Sequence, residues 1–384
     1  MKYGWLMIVA VLAFACGPSP NQKNESKITD QSATDQVAIE YADNFTIDQY
    51  PGYSLVTVRN AWKNSQKQFR YALMEKGSQL PDSIQVDQQI EVPLENLVCF
   101  STTHIPYLDM LQVGDKLKGF PNLDYISTPG VRKYIDQGNV TDLGSGINPN
   151  LEKIITLNPA LVMAYGMPGG SDLVFKLQQA GIPVVYNADY MELSPLGRAE
   201  WIKFMAAFFN KLPTADSIYS SVANRYDSLQ NLAAREKNPP SVLSGILYGD
   251  TWFLPAGQNY AARFFADANS HYLWEDNSET GYLELSFESV YARAYQADYW
   301  LGVGQYNSLQ ELGNADERYK NFTAYQSGRV YNYTARVGSK GGNEYFELGY
   351  ARPDIILADL IKIFHPQILP SYELYFHQKL KSGN

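Results

Sequence analysis

The chain has 384 residues, of which 45% are hydrophobic, 14% aromatic and 18% charged, and its formal net charge is −9. That length holds two or three domains with cores of their own, and the composition excludes a disordered chain, a collagen-like fibre and a coiled coil. With 40 Asp and Glu against 31 Lys and Arg and no basic block, the chain has no footprint for nucleic acid, whose phosphates need clustered cations.

Met1 and Lys2 lead into the apolar run Leu6 to Ala15 (LMIVAVLAFA), which stops at Cys16. A membrane-spanning helix takes about 20 apolar residues; this run is shorter and ends in small residues, as a cleaved signal peptide does. Residues 16–44 are polar without an apolar period, which predicts a flexible tether and ordered chain from Phe45.

From Asn96 to Tyr186, short apolar runs alternate with helix-like segments. Leu97–Phe100, Leu161–Tyr165 and Pro183–Tyr186 read as buried parallel strands, and Leu151, Ile154, Ile155 and Leu157 carry the helical period between them. Strand-helix-strand order predicts a parallel sheet covered by helices. Cys99, inside the first strand, reads as a buried free thiol.

A helical connector over 194–237 separates this α/β lobe (45–193) from a second (238–384). Ser194 is placed to cap its start and Pro195 suits the first helical position. Trp201, Ile202, Met205, Phe208 and Phe209 share one face. Pro213 interrupts, and Ile218, Val222, Leu229 and Leu232 fall in register on a second helix. The halves echo each other: Asn150-Leu151-Glu152 opens a helix leading to the strand at 160–165 and Gly166, and Ser286-Phe287-Glu288 opens one leading to 297–303 and Gly304. Two α/β lobes on a connector predict a ligand cleft facing the carboxyl ends of the strands.

Several phrases together resemble a known family. Ser101-Thr102-Thr103-His104, Asn150-Leu151-Glu152-Lys153-Ile154, Leu157-Asn158-Pro159-Ala160-Leu161-Val162, Gly181-Ile182-Pro183-Val184, Arg352-Pro353-Asp354 and the tail Leu357-Ala358-Asp359-Leu360 with His365-Pro366 resemble the substrate-binding lipoproteins of ABC importers for ferric siderophores, haem and cobalamin. The resemblance runs from about Phe45 to Leu380. It departs at Ala160, where the family usually has Asp. Ala13-Phe14-Ala15-Cys16 is similar to a lipobox, which implies a signal peptide over 1–15 and acyl chains on Cys16 as a stable anchor; a plain cleaved signal peptide is the alternative.

The resemblance implies an α/β fold of two Rossmann-like lobes with parallel sheets, joined by a long rigid helix, with the ligand cleft between them. It implies a monomer, lipid-anchored in the cell envelope, that captures a metal chelate and delivers it to an ABC permease dimer without catalysis or a resident cofactor. In the family one surface Glu per lobe docks on permease arginines, and Glu152 and Glu288 match those positions. Either residue also suits a first helical turn for its effect on the helix dipole alone.

Loops after strands nominate the cleft: Thr102, Thr103 and His104; Tyr165 and Met167; Tyr190 and Glu192; Trp252 and Tyr260; Gln305 and Tyr306; Arg336, Asn343 and Tyr345. Aromatic faces suit a flat or multi-ring ligand and Arg336 an anionic group. His104 is a candidate iron or cobalt ligand, against the commoner role of a hydrogen-bonding loop histidine. His271, His365 and His377 are scattered, without the spacing of a zinc site. Gly338 to Asn343 lacks the spacing of a phosphate-binding loop, and Gly144-Ser145-Gly146 is too short for a nucleophile elbow. An exported α/β hydrolase using carboxylates such as Glu192 is the competing class.

Overall fold

The structure is a computed structural model and describes residues 34–144, 149–167, 172–338 and 340–382. The expected signal peptide, Cys16 and the tether as far as residue 33 lie outside the described residues. No helix among the described residues is long and apolar enough to cross a membrane.

The first lobe opens with a sheet that the sequence reading did not expect. β1 (Asp35–Gln36), β2 (Phe45–Tyr50), β3 (Tyr53–Val58) and β4 (Phe69–Glu75) form an antiparallel meander, and β5 (Gln88–Val92) adds a parallel edge. Successive side chains point to opposite faces of a strand. Phe45, Ile47, Val56, Val58, Tyr71 and Leu73 thus enter the lobe's main core, while Tyr53, Leu55, Ala72 and Met74 form a smaller cluster behind. Pro51 and Gly52 turn the β2–β3 hairpin; Gly52 has φ +84°, and a Cβ there would lie 2.6 Å from Ser78 Oγ.

The α/β part follows as β6 (Leu97–Cys99), α1 (Ile105–Met110), β7 (Leu117–Phe120), α2 (Pro129–Asp136), β8 (Thr141–Asp142), α3 (Leu151–Leu157), β9 (Val162–Ala164), α4 (Asp172–Gln179) and β10 (Val184–Tyr186). The strands pair in the order β10-β9-β6-β7-β8, all parallel. Cys99 is free and buried in β6.

Two helices make the connector, α5 (Pro195–Ala207) and α6 (Leu212–Ala233). Ser194 Oγ accepts from Gly197 N, and all 13 residues of α5 are buried. α6 spans about 33 Å at 1.5 Å per residue. Its Ala215, Tyr219 and Val222 belong to the first lobe's core; Tyr226, Leu229 and Ala233 belong to the second's.

The second lobe runs β11 (Ser241–Ser244), β12 (Ile246–Tyr248), β13 (Thr251–Pro255), α7 (Tyr260–Asp267), β14 (His271–Tyr272), β15 (Tyr282–Leu285), α8 (Phe287–Ala294), β16 (Tyr299–Leu301), α9 (Leu309–Ala315), α10 (Thr323–Gln326), β17 (Val330–Asn332), α11 (Leu348–Ala351), α12 (Pro353–Phe364) and β18 (Gln378–Lys379). Its main sheet has the order β14-β11-β16-β17-β18, parallel except for β18, and a small antiparallel sheet β12-β13-β15 stands beside it. The helix-to-strand echo is real in space: α3 leads to β9 beside β6, and α8 leads to β16 beside β11.

Chain expected as tether is ordered over 34–44, and the cause is its backbone. The buried Glu200 carboxylate in α5 accepts from the N–H groups of Glu40 (2.9 Å), Tyr41 (2.8 Å) and Ala42 (3.0 Å). Lys203 lies 3.1 Å from Glu200 Oε1 and donates to Ala38 O at 2.8 Å. A buried charge must be matched in this way. Polar side chains hid this strap from a reading of apolar period.

Across the lobes, α11 packs on α1, on α5 and on the 3₁₀ turn Thr102–His104 that follows β6. His104 is therefore fully buried, with neither ring nitrogen hydrogen-bonded among the described residues. Burial pushes its pKa down to about 3, so the fold keeps it neutral.

Two outcomes follow for stability. Glu200→Ala takes the acceptor from three N–H groups and leaves Lys203 with Ala38 O and Asp216 alone, and is expected to cost about 2–4 kcal/mol, read from denaturant midpoints; an unchanged midpoint would show that the strap is not held by this carboxylate. Below pH 6.5 the unfolded chain protonates His104 while the fold does not, so its contribution is whole above that pH and is lost as pH falls toward 3. Between about pH 7.5 and about pH 5 this amounts to about 2 kcal/mol. His104→Leu is expected to remove that part of the slope. Asp189, raised to about 6 by burial, acts with the opposite sign in both proteins and cancels in the comparison.

Candidate ligand-binding cleft

A cleft of about 640 Å³ opens where the second lobe faces the end of β10, the start of α5 and the β3–β4 loop. That volume suits a ligand of several rings. On the first-lobe side, the 3₁₀ turn Asp189–Met191 follows β10, and Asn187 Oδ1 accepts from Asp189 N to set the turn. Tyr190 from this turn lines the cleft. Its hydroxyl lies 2.8 Å from Gly166 O and 3.1 Å from Ala61 O, which ties the β3–β4 loop to the lip. Gly166 is required there, since a Cβ would stand 2.2 Å from Ala61 O.

Arg198, one turn into α5, also lines this wall. Its Nε donates to Glu192 O (3.0 Å) and its Nη2 to Tyr190 O (3.1 Å). Its guanidinium sits 3.5 Å from the Tyr260 ring centre and 4.5 Å from that of Tyr350, so aromatic faces from the second lobe receive it by cation–π contact.

Most of the cleft belongs to the second lobe. Gly245, Gly302 and Gly304 follow the carboxyl ends of β11 and β16, where bare backbone leaves room for a ligand. The start of α7, with Asn259 Oδ1 accepting from Ala261 N, adds another edge. Tyr333 and Tyr345 stack at 4.7 Å with 20° between planes.

Among residues expected from sequence, the structure brings Tyr190, Tyr260 and Tyr345 together on this surface. The others fall elsewhere, each for a physical reason. Thr102, Thr103 and His104 lie under α11; Thr103 Oγ1 pairs with Ser101 Oγ at 2.9 Å. Glu192 is buried and accepts from Asn44 N, Asp43 N and Trp201 Nε1, so its carboxylate is spent on holding the strap and α5. Trp252 is fully buried in the second core, stacked 5.5 Å from Trp300, with Nε1 donating to Ser244 O. Tyr165 and Met167 are half-buried and do not line the cleft.

Gln305 is exposed just beyond Gly304, and Tyr306 packs on the second core. Arg336 lies exposed over the Tyr375 ring at 3.8 Å. Asn343 stands behind the aromatic wall: Nδ2 donates to Tyr333 O and Oδ1 accepts from Tyr345 N, which sets the stacked pair. Among the described residues no group of three His, Cys, Asp or Glu side chains could hold a metal ion.

Glu152 and Glu288 occupy matching places. Each is the second residue of its helix, with Asn150 and Ser286 as the respective side-chain caps, and each is exposed. Glu288 has Arg318 at 3.8 Å. Sequence reasoning missed Arg198 and Lys63 in the lining. The signal for Arg198 was present: α5 reads Pro-Leu-Gly-Arg-Ala-Glu-Trp-Ile-Lys, and charges inside an otherwise apolar helix announce buried partners.

Comparison with known proteins agrees with this geometry. The periplasmic binding protein family matches residues 97–337. An uncharacterized lipoprotein of Methanocaldococcus jannaschii is 26% identical, spanning 99% of this chain and 95% of its own. A possible iron-binding (periplasmic solute-binding) protein of Staphylococcus epidermidis has the same fold at a TM-score of 0.56 and 14% identity, covering 71% of this chain and 99% of its own. An ABC transporter substrate-binding protein of Listeria monocytogenes gives 0.52 and 19%, again covering 71% and 99%. With the match running over both α/β lobes and the helices that join them, the chain belongs to the periplasmic binding protein family.

Proposed function

We propose that this protein is a lipid-anchored solute-binding protein that captures a ferric siderophore in the cleft and delivers it to an ABC import permease. The observation that carries the reading is the cleft itself: about 640 Å³, lined by ten aromatic side chains and by glycine backbone at strand ends. Aromatic walls bind a bulky, multi-ring chelate by contact over its faces, with few polar groups to fix orientation. The hydrolase alternative has lost its chemical nominee, because Glu192 is tied into three hydrogen bonds away from the lining.

Support for iron comes from the likeness to the possible iron-binding protein of Staphylococcus epidermidis, and support for an anchor at Cys16 from the Methanocaldococcus lipoprotein aligned along nearly the whole chain. Haem and cobalamin are the alternatives within the same class. His104 offers haem iron no ligand while α11 covers it.

Docking on the permease falls to Glu152 and Glu288. Both are exposed carboxylates at the start of a helix, one per lobe, and a guanidinium partner would fix orientation through charge-assisted hydrogen bonds. Calorimetry of the protein against a ferric siderophore panel, haemin and cyanocobalamin, paired with uptake in cells, tests the whole reading. A ferric siderophore is expected to bind most tightly. Glu152→Ala with Glu288→Ala is expected to cut import about tenfold or more while affinity stays within about twofold. Tightest binding of haemin or cyanocobalamin would reassign the ligand, and full import by the double variant would remove the docking role.

A further inference from the structure

Asp and Glu supply 40 of the 384 residues, and the chain as a whole is acidic at −9. None of the 27 residues that line the cleft is acidic, although two are cations, Lys63 and Arg198. His377, also in the lining, has its Nδ1 engaged by Asp359 Oδ2 at 3.0 Å. An acidic protein has therefore kept its carboxylates out of one concave surface and set two positive charges there.

The two cations sit differently. Arg198 is buried, its Nε and Nη2 donate to carbonyl oxygens, ring faces lie on its other side, and no carboxylate lies within ion-pair distance of it among the described residues. The buried Asp189 carboxylate acts on it from beyond that distance and offsets part of its charge, which leaves no direct anionic partner on the cleft side. Lys63 is exposed and likewise has no carboxylate within ion-pair distance among the described residues. It stands on the β3–β4 loop, 59–68, which comes from the N-terminal sheet ahead of the family-matched residues. That loop is held in place: Trp62 packs on Phe69 and Tyr186, Tyr190 bridges to Ala61 O, and Asn60 Nδ2 donates to Asn44 Oδ1. Lys63 is thus a charge presented on a fixed support at the cleft.

We infer that the cleft selects an anionic chelate with aromatic faces, of the ferric tris-catecholate class, with Arg198 as the buried charge contact and Lys63 as a specificity residue supplied by the N-terminal sheet. In such a complex six catecholate oxygens outweigh the ferric charge, and the net negative charge is spread over the rings' oxygen edges. The cations meet the oxygens while Tyr and Phe faces meet the rings. A neutral ferric trihydroxamate or cyanocobalamin gains nothing from either cation and leaves Arg198 desolvated without an anion. The inference rests on the solute-binding reading above and deepens it.

The test compares ferric enterobactin, ferrichrome and cyanocobalamin by calorimetry on the protein and on Lys63→Glu, at about 0.05 M and about 0.5 M salt. Because Lys63 is exposed and has no ion-pair partner among the described residues, the variant is expected to melt as the parent does, which separates a charge effect from misfolding. The anionic catecholate complex is expected to bind most tightly, and to weaken about tenfold with Lys63→Glu and with added salt. Affinities for the two neutral ligands are expected to move less than about twofold. Tighter binding of ferrichrome or cyanocobalamin, or an unchanged affinity of Lys63→Glu for ferric enterobactin, would overturn the charge selection and leave the solute-binding function standing. Absence of binding by all three would bring down the charge selection and the ferric-siderophore reading together.

Discussion

One helix belongs to two hydrophobic cores. α6 presents Ala215, Tyr219 and Val222 to the first lobe and, on the continuation of the same stripe, Tyr226, Leu229 and Ala233 to the second. A three- or four-residue step keeps these side chains on one face. Neither core can be completed without the helix, and a helix that continues from one core into the other fixes the distance between them. The cleft is the space this arrangement leaves where other contacts do not close it.

Those other contacts decide where the cleft lies. α11 reaches from the second lobe onto the first, putting Ala351 into the first core and covering the turn after β6. Beside it, the Glu347 carboxylate accepts from Ser127 N, Thr128 N and Thr128 Oγ1. The waist is therefore sealed over Ser101–His104 and open farther along, beneath the ends of β11 and β16. A ligand there rests mainly on the second lobe, and the first contributes Tyr190, Met191, Leu193, Arg198 and Lys63.

Local chemistry made much of this legible. Apolar runs bounded by turn residues marked β6, β9, β10 and β16 to within about two residues, and Ser194-Pro195 marked the start of α5. β7 escaped because Leu117-Lys118-Gly119-Phe120 shows no continuous apolar run, and 34–44 escaped because hydrogen bonds from its backbone, rather than apolar side chains, order it. Site residues were harder. Residues after a strand do face the ligand side of an α/β sheet, but sequence does not say which of those loops another lobe will cover. That single tertiary fact moved Thr102, Thr103 and His104 out of the surface. Trp252 was misplaced for a related reason: a large aromatic next to a turn reads as a ligand platform, whereas burial among Trp300, Tyr319 and Phe322 gives it more contact than solvent or ligand would.

Hydrogen exchange of the protein with and without a bound ferric siderophore tests the central claim most directly, because it reports each segment separately. The account predicts added protection at Tyr190–Leu193, at the Asn259–Ala261 start of α7 and at Gly302–Gly304, with no change at Ser101–His104, which α11 already covers. Protection confined to Ser101–His104 and the residues after β9, with none at α7 or β16, would contradict it.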